Sequence, residues 1–281
     1  MIQNVRVREL LLGTKILVLT DIDGSMIGYD GSREGVREAV ELLKMLGAIV
    51  IPVTAKTLDE ISYLGEQLGF GEKGLISIVE MGGAVCATKG YLSLMNPLEF
   101  NGFECEVLGG LIEEFDEILD VTLRNCNAIR LSKASLSEAE EILGLRGVEA
   151  LLATRRRFLE VIWSSDRECL VKASRRLEEL GFNILMGRRF LHVGLHKGKG
   201  EAVLRLLDRL KPLLNGKVKV IGIGDSEADI SFLELVDKPM IIPHDDPSYD
   251  IRLGRPDYVV APYPAPRGWV WVAKQIALDL I

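Results

Sequence analysis

Cysteine is scarce in this chain: Cys86, Cys105, Cys126 and Cys169 are the four among 281 residues, far apart and with no Cys-x-x-Cys pair. That spacing argues against a zinc site or a disulfide framework and predicts reduced thiols in a cytoplasm. Basic stretches are missing as well. Lys and Arg number 34 against 41 Asp and Glu, a net charge of -7, and the one basic run is Arg155-Arg156-Arg157. This balance disfavours a nucleic-acid partner, and the triple arginine reads as a solvated face. No apolar run reaches membrane-spanning length, and no basic segment leads into an apolar signal core, so no membrane partner is expected. Gly-x-Gly-x-x-Gly is absent after the first strand-like run, which disfavours a dinucleotide-binding dehydrogenase. What is present is an ordinary globular composition, 48% hydrophobic and 27% charged, long enough for one large domain or two smaller ones.

Patterning predicts a strand over 15–20 and, behind Ser32 as N-cap, a helix over 33–46 ended by Gly47. A strand over 48–54, a helix over 58–68 capped by Thr57 and a strand over 75–79 follow. This alternation is the rhythm of parallel βαβ units. After Gly82-Gly83 the rhythm changes. Helices are expected over 104–119, 137–145 and 166–180, and strands over 127–132 and 158–163, as in an α+β insertion. The first rhythm returns with a helix after Lys199, a strand over 218–223, a helix after Asp225, strands over 239–242 and 257–260, and a helix from Gly268. The fold class is therefore α/β: a doubly wound, Rossmann-like parallel-sheet core interrupted by an α+β cap. The core is placed at residues 1–83 and 192–281 and the cap at 84–191. Hinges are expected near Gly82-Gly83 and over 194–198, where glycine absorbs backbone change.

The first strand breaks on Asp21-Ile-Asp-Gly-Ser25. Side chains two apart on a strand point the same way, so Asp21 and Asp23 can aim into one crevice. Like charges held that close require a cation or a shared proton. Thr54, Lys199 and the run Gly224-Asp-Ser-Glu-Ala-Asp229 also fall at C-terminal strand ends, where open α/β sheets bind ligands. Each has an ordinary reading alone. Asp-x-Asp-Gly occurs in turns, threonine caps helices, lysine opens solvated helices, and Gly-Asp-Ser marks turns. Their order on successive strands is what points to one phosphate-handling metal site.

That order resembles the haloacid dehalogenase superfamily of phosphotransferases and, within it, the mannosyl-3-phosphoglycerate phosphatase family. The resemblance rests on Thr20-Asp-Ile-Asp-Gly-Ser25, Ile51-Pro-Val-Thr-Ala-Lys-Thr57, Ile78-Val-Glu80, Gly187-Arg-Arg-Phe-Leu-His192, Lys199-Gly-Glu-Ala-Val203, Ile223-Gly-Asp-Ser-Glu-Ala-Asp229 and Gly268-Trp269. It implies that Asp21 is the nucleophile forming an aspartyl-phosphate, and that Asp23 is general acid then base. It implies a Mg²⁺ cofactor held by Asp21, Asp23 through its backbone carbonyl, Asp225 and Asp229. Thr54 and Lys199 would bind the phosphoryl oxygens, with Lys56, Arg156, Glu160 and His192 toward the rest of the substrate. Lys197 rivals Lys199, but Lys-Gly-x-Ala-Val continues only from Lys199. His196 and His244 read as surface or hydrogen-bonded histidines. Where the family has serine, asparagine, asparagine and serine, this chain has Ala55, Met81, Ala228 and Leu159; none carries a charge of the phosphoryl site. The implied activity is hydrolysis of a small phosphorylated sugar or sugar acid, mannosyl-3-phosphoglycerate to mannosylglycerate. A related sugar phosphatase and a phosphomutase are the alternatives. No sequence feature indicates the oligomeric state.

Overall fold

In the computed structural model, residues 16–71, 74–187, 189–214, 218–244, 246 and 258–279 are described. Lys15 and Asp257, expected in strands, lie outside them. The chain opens with β1 (Ile16–Thr20), α1 (Val36–Met45), β2 (Ala48–Pro52) and α2 (Leu58–Leu68), then four strands, β3 (Ile76–Val79), β4 (Ala84–Thr88), β5 (Leu98–Phe100) and β6 (Phe103–Val107). The next stretch holds α3 (Asp116–Leu123), β7 (Ile129–Arg130), α4 (Leu136–Leu143), α5 (Gly147–Ala153), β8 (Leu159–Trp163), α6 (Arg167–Glu179), β9 (Asn183–Met186) and β10 (Leu191–Gly194). The last holds α7 (Lys199–Leu210), β11 (Lys219–Gly224), α8 (Glu227–Leu233), β12 (Lys238–Ile241), β13 (Val259–Val260) and α9 (Arg267–Leu278).

Every residue of β1 is buried, because β1 is paired on both edges and covered on both faces. The parallel sheet runs β13-β12-β11-β1-β2. One face carries α1, α2 and α9 on an apolar cluster including Val18, Leu43, Ile61 and Trp269. The other carries α7 and α8 on Leu17, Leu19, Leu206 and Phe232. This is the doubly wound arrangement expected from the sequence. Thr20 pairs with Ile223 on one side and Pro52 on the other, so β1, β2 and β11 end in line. That register delivers Asp21, Thr54 and Asp225 to one edge.

A second sheet, β3-β4-β6-β5, is antiparallel and is tied to the end of β2 by a Val53–Ile78 bridge. The cap boundary expected at residue 84 falls inside this sheet: Ala84, Cys86 and Cys105 share the core cluster with β1 and α9. The helix expected over 104–119 is corrected too. Phe103-Glu-Cys-Glu-Val107 alternates with the period of a strand and pairs as one; after a 3₁₀ turn at Ile112–Glu114, α-helix begins only at Asp116. A third sheet, β7-β8-β10-β9, is sandwiched. α3 and α6 cover one face through Leu119, Leu170 and Leu177 around Ile162, and α4 and α5 cover the other through Ala139, Ile142 and Ala150 around Val161. Residues 108–111 and 194–198 link this third sheet to the rest of the fold.

Two further expectations are overturned. The cysteines are not free: Cys86 is bonded to Cys105, its direct partner across β4 and β6, and Cys126 to Cys169. Distance along the chain concealed distance in the fold. Ser32 does not cap α1; it bonds Asp30, and the helix starts behind Gly35. Thr57, by contrast, forms the expected cap, exchanging bonds with Glu60. Among the described residues no helix is long and apolar enough to cross a membrane.

Candidate active site

Asp21 follows β1, Asp225 follows β11, and Asp229 lies in the first turn of α8; all three are buried. One carboxylate oxygen from each lies within 4.8 Å of the others. Lys199 Nζ stands 2.6 Å from Asp21 Oδ1 and 2.7 Å from Asp229 Oδ1. Asp229 is held from behind, its Oδ2 accepting the backbone N–H of Asp225 and Ser226 and the Ser226 hydroxyl. Burial drives the Asp21 carboxyl well above the usual carboxylate range, against the pull of Lys199 and with the push of Asp229 and Asp225. Lys199 stays protonated: burial alone would lower it, but Asp21 and Asp229 more than reverse that. Three clustered carboxylates facing one ammonium leave surplus negative charge in a dry site. An all-oxygen donor set of this kind suits a hard divalent cation such as Mg²⁺.

Asp225 has partners that the sequence did not signal. Ser25 Oγ donates to its Oδ1 at 3.1 Å and the Tyr29 hydroxyl to its Oδ2 at 2.8 Å. His244 Nε2 is 3.1 Å from Oδ2, with its ring stacked on Tyr29. Gly24 permits this closure. Its φ is 83°, and a Cβ there would stand 2.4 Å from Asp225 Oδ2 and 2.5 Å from the Tyr29 ring.

The Asp23 side chain is apart from the three-carboxylate cluster. It is about half exposed (45%) and pairs with Lys56 Nζ at 3.0 Å. Glu60 also approaches that ammonium, and the two acids raise it despite the opposing effect of burial. Thr54 is fully buried, its Oγ1 accepting the Lys56 N–H. Asp23, Tyr29, Lys56, Arg156 and His192 line one cavity of about 330 Å³ between core and cap. Leu131, Val161 and Phe190 give it an apolar cap-side wall.

Of the four residues expected on the substrate side, Lys56, Arg156 and His192 line this cavity and Glu160 does not. Arg156 reaches the core, donating from Nη2 to the Ala55 carbonyl at 2.8 Å and from Nε to the Leu159 carbonyl at 2.7 Å. His192 has a buried Nδ1 without a hydrogen-bond partner. Burial, then the Arg156 charge, lowers its imidazole to about 4, so it is neutral at pH 7. Glu160 is elsewhere. Alternation along β8 turns Val161 to the cavity and Glu160 away from it, into a buried pair with Arg130 and onto the Ser132 N–H.

The triple arginine is not a solvated face. Arg155 and Arg157 pair with buried Asp59 of α2 at 3.2 and 2.5 Å, while Arg156 bonds Ala55. Glu80, fully buried after β3, accepts the N–H groups of Arg157, Phe158 and Leu159. Asp59 and Glu80 thus anchor the start of β8 to the core. Glu80 was visible only within a matched motif, and Asp59 carried no signal beyond its place in the first turn of α2.

No protein-family profile matches the chain. It is 35% identical over 268 residues to the mannosyl-3-phosphoglycerate phosphatase of Aeropyrum pernix, covering 92% of this chain and 94% of the relative. It is 30% identical over 260 residues to the glucosyl-3-phosphoglycerate/mannosyl-3-phosphoglycerate phosphatase of Persephonella marina, covering 90% and 94%. Its fold matches a haloacid dehalogenase-like hydrolase from Bacteroides thetaiotaomicron with a TM-score of 0.66 at 16% identity, covering 94% of this chain and 99% of that one. Fold, acidic edge and relatives together define a haloacid dehalogenase-superfamily phosphatase, a phosphoric monoester hydrolase. At the level of family, the likeness over nearly the full length decides: the chain belongs to the mannosyl-3-phosphoglycerate phosphatase family.

Proposed function

We propose that this chain is a Mg²⁺-dependent phosphatase that converts mannosyl-3-phosphoglycerate to mannosylglycerate and inorganic phosphate. The observation that carries the reading is the meeting of Asp21, Asp225 and Asp229 within 4.8 Å, flanked by Asp23 and Tyr29 of a cavity lined by Lys56 and Arg156. Asp21, Asp225 and Asp229, with the Asp23 carbonyl, would hold the metal. When bound, Mg²⁺ offsets the charge of both nucleophile and phosphate.

Asp21 attacks phosphorus, and the phosphorus–oxygen bond to the glycerate oxygen breaks. The Asp23 carboxyl gives its proton to that oxygen as it leaves. The Asp23 carboxylate then takes a proton from water, whose oxygen attacks the aspartyl-phosphate and frees Asp21 and phosphate. Lys199 and Thr54 hold the phosphoryl oxygens. Exposure of Asp23 to the cavity supports its role, because an acid–base group must reach both the leaving oxygen and water. Lys56 and Arg156 suit the substrate carboxylate, and the Leu131, Val161 and Phe190 wall suits a sugar ring face. Residues 108–197 are read as the cap that closes over this chemistry.

The test is phosphate release from a panel of mannosyl-3-phosphoglycerate, glucosyl-3-phosphoglycerate, 3-phosphoglycerate and simple hexose phosphates, with Mg²⁺ and with chelator. The highest kcat/KM is expected for mannosyl-3-phosphoglycerate, lost on chelation. A hexose phosphate matching it would overturn the substrate, and activity indifferent to chelator would overturn the metal.

A further inference from the structure

His196 is 3% exposed, in the turn that brings the chain back from β10 to α7. Its Nδ1 accepts the N–H of Gly198 at 3.3 Å. In a neutral ring an accepting Nδ1 leaves the proton on Nε2. That Nε2 is buried without a partner in the protein, on the wall of a cavity of about 190 Å³ shared with Lys199 and His192.

The ring lies where both chain crossings meet. A Cβ on Gly194 would stand 2.8 Å from Nε2, one on Gly83 would stand 3.5 Å from Cδ2, and one on Gly109 would stand 2.4 Å from the His196 backbone nitrogen. Small residues on three segments therefore make a socket for this imidazole. Its backbone carbonyl is held too, by Asn183 Nδ2 at 2.9 Å.

Gly198 is the last residue before α7, with φ 98° and ψ -173°, a conformation open to glycine. A Cβ on Gly82 would lie 2.4 Å from its carbonyl oxygen, so Gly198 is packed against Gly82 at its carbonyl and tied to His196 at its N–H. Lys199 starts there, and its ammonium must reach Asp21 and Asp229 together.

We propose that His196 is a positioning residue for phosphoryl transfer: its Nδ1 fixes the Gly198 peptide and thereby the first turn of α7, which carries Lys199. This rests on Lys199 acting at the phosphoryl group, as read above.

Asparagine places its amide oxygen where Nδ1 stands, whereas glutamine places its amide where Nε2 stands. His196→Asn is expected to hold kcat within about threefold, and His196→Gln to lower it about a hundredfold with KM little changed. Hydrogen exchange at the Gly198 amide gives a second reading, slow in the native protein and the Asn variant and fast in the Gln variant. His196→Ala, which makes a void rather than a clash, has to behave like the Gln variant. Equal kcat in the Asn, Gln and Ala variants, or unchanged Gly198 exchange in the last two, overturns the proposal. If the native protein released phosphate from no substrate of the panel, the proposed function would fall, while the exchange comparison would still decide whether His196 holds Gly198.

Discussion

Lys199 and Asp21 are 178 residues apart in the chain and 2.6 Å apart in the fold, with Asp229 sharing the same ammonium at 2.7 Å. The lysine thus holds the Asp21 carboxylate in place. Asp21→Asn keeps the shape and removes the attacking charge, so phosphate release should fall at least about a thousandfold while the circular dichroism spectrum stays native. Turnover near the native rate would remove Asp21 as nucleophile.

Mg²⁺ should stabilise the fold as well as activate it, because it relieves repulsion among Asp21, Asp225 and Asp229. At a free concentration a hundred times its Kd the gain is about 2.7 kcal/mol, read as a rise in Tm. Asp225→Asn should lose most of that rise. A native Tm indifferent to Mg²⁺ and chelator would argue against a metal at these carboxylates.

Arg156→Ala and Lys56→Ala should raise KM about ten- to a hundredfold, with a smaller fall in kcat, as expected for lost charge-assisted contacts to an anionic substrate. Glu160→Gln should act on stability and not on substrate affinity. Its carboxylate pairs with Arg130 inside the cap, so Tm should drop and KM should hold. A large KM change in Glu160→Gln, with none in Arg156→Ala, would invert the assignment.

Asp59→Ala leaves Arg155 and Arg157 without their shared carboxylate, and Arg157 is largely buried there. Stability should fall by about 1–3 kcal/mol, with faster proteolytic cleavage near residues 154–157. Native proteolysis rates in this variant would show that the pairing does not hold the cap.

His196 carries a pH signature. Burial, then the Arg156 charge, lowers its pKa from 6.5 to about 4. The unfolded chain therefore binds this proton first as pH falls. The stability contributed is complete above about pH 6.5 and shrinks down to about pH 4, about 3 kcal/mol in all. Denaturant unfolding at pH 7 and pH 5 should show a loss about 2 kcal/mol larger in the native protein than in His196→Asn. Identical losses would place the titration elsewhere.

Much of the active edge was legible because it is written locally. Asp21, Thr54 and Asp225 each follow an apolar strand, Asp229 lies one helical turn beyond Asp225, and the parallel register aligns those strand ends whatever lies between. Less was legible where the deciding partner is remote. Arg155 and Arg157 look solvated until Asp59 is placed beneath them. Residues 103–107 look amphipathic until pairing with β4 chooses the strand. Glu160 was expected toward the substrate, yet the side of β8 it occupies is set by pairing with β7 and β10. Tyr29 and Ser25 reach Asp225 only through a turn whose closure depends on Gly24.

The two disulfides close loops of 19 and 43 residues, one within the β3–β6 sheet and one within the cap. Neither bridges the crossings at 108–111 and 194–198. Covalent reinforcement therefore toughens each body against unravelling yet adds no tether between them. The ties between them, Arg155 and Arg157 to Asp59, Arg156 to the Ala55 carbonyl and the Phe158 N–H to Glu80, are hydrogen bonds and ion pairs, which can break and re-form where a disulfide cannot.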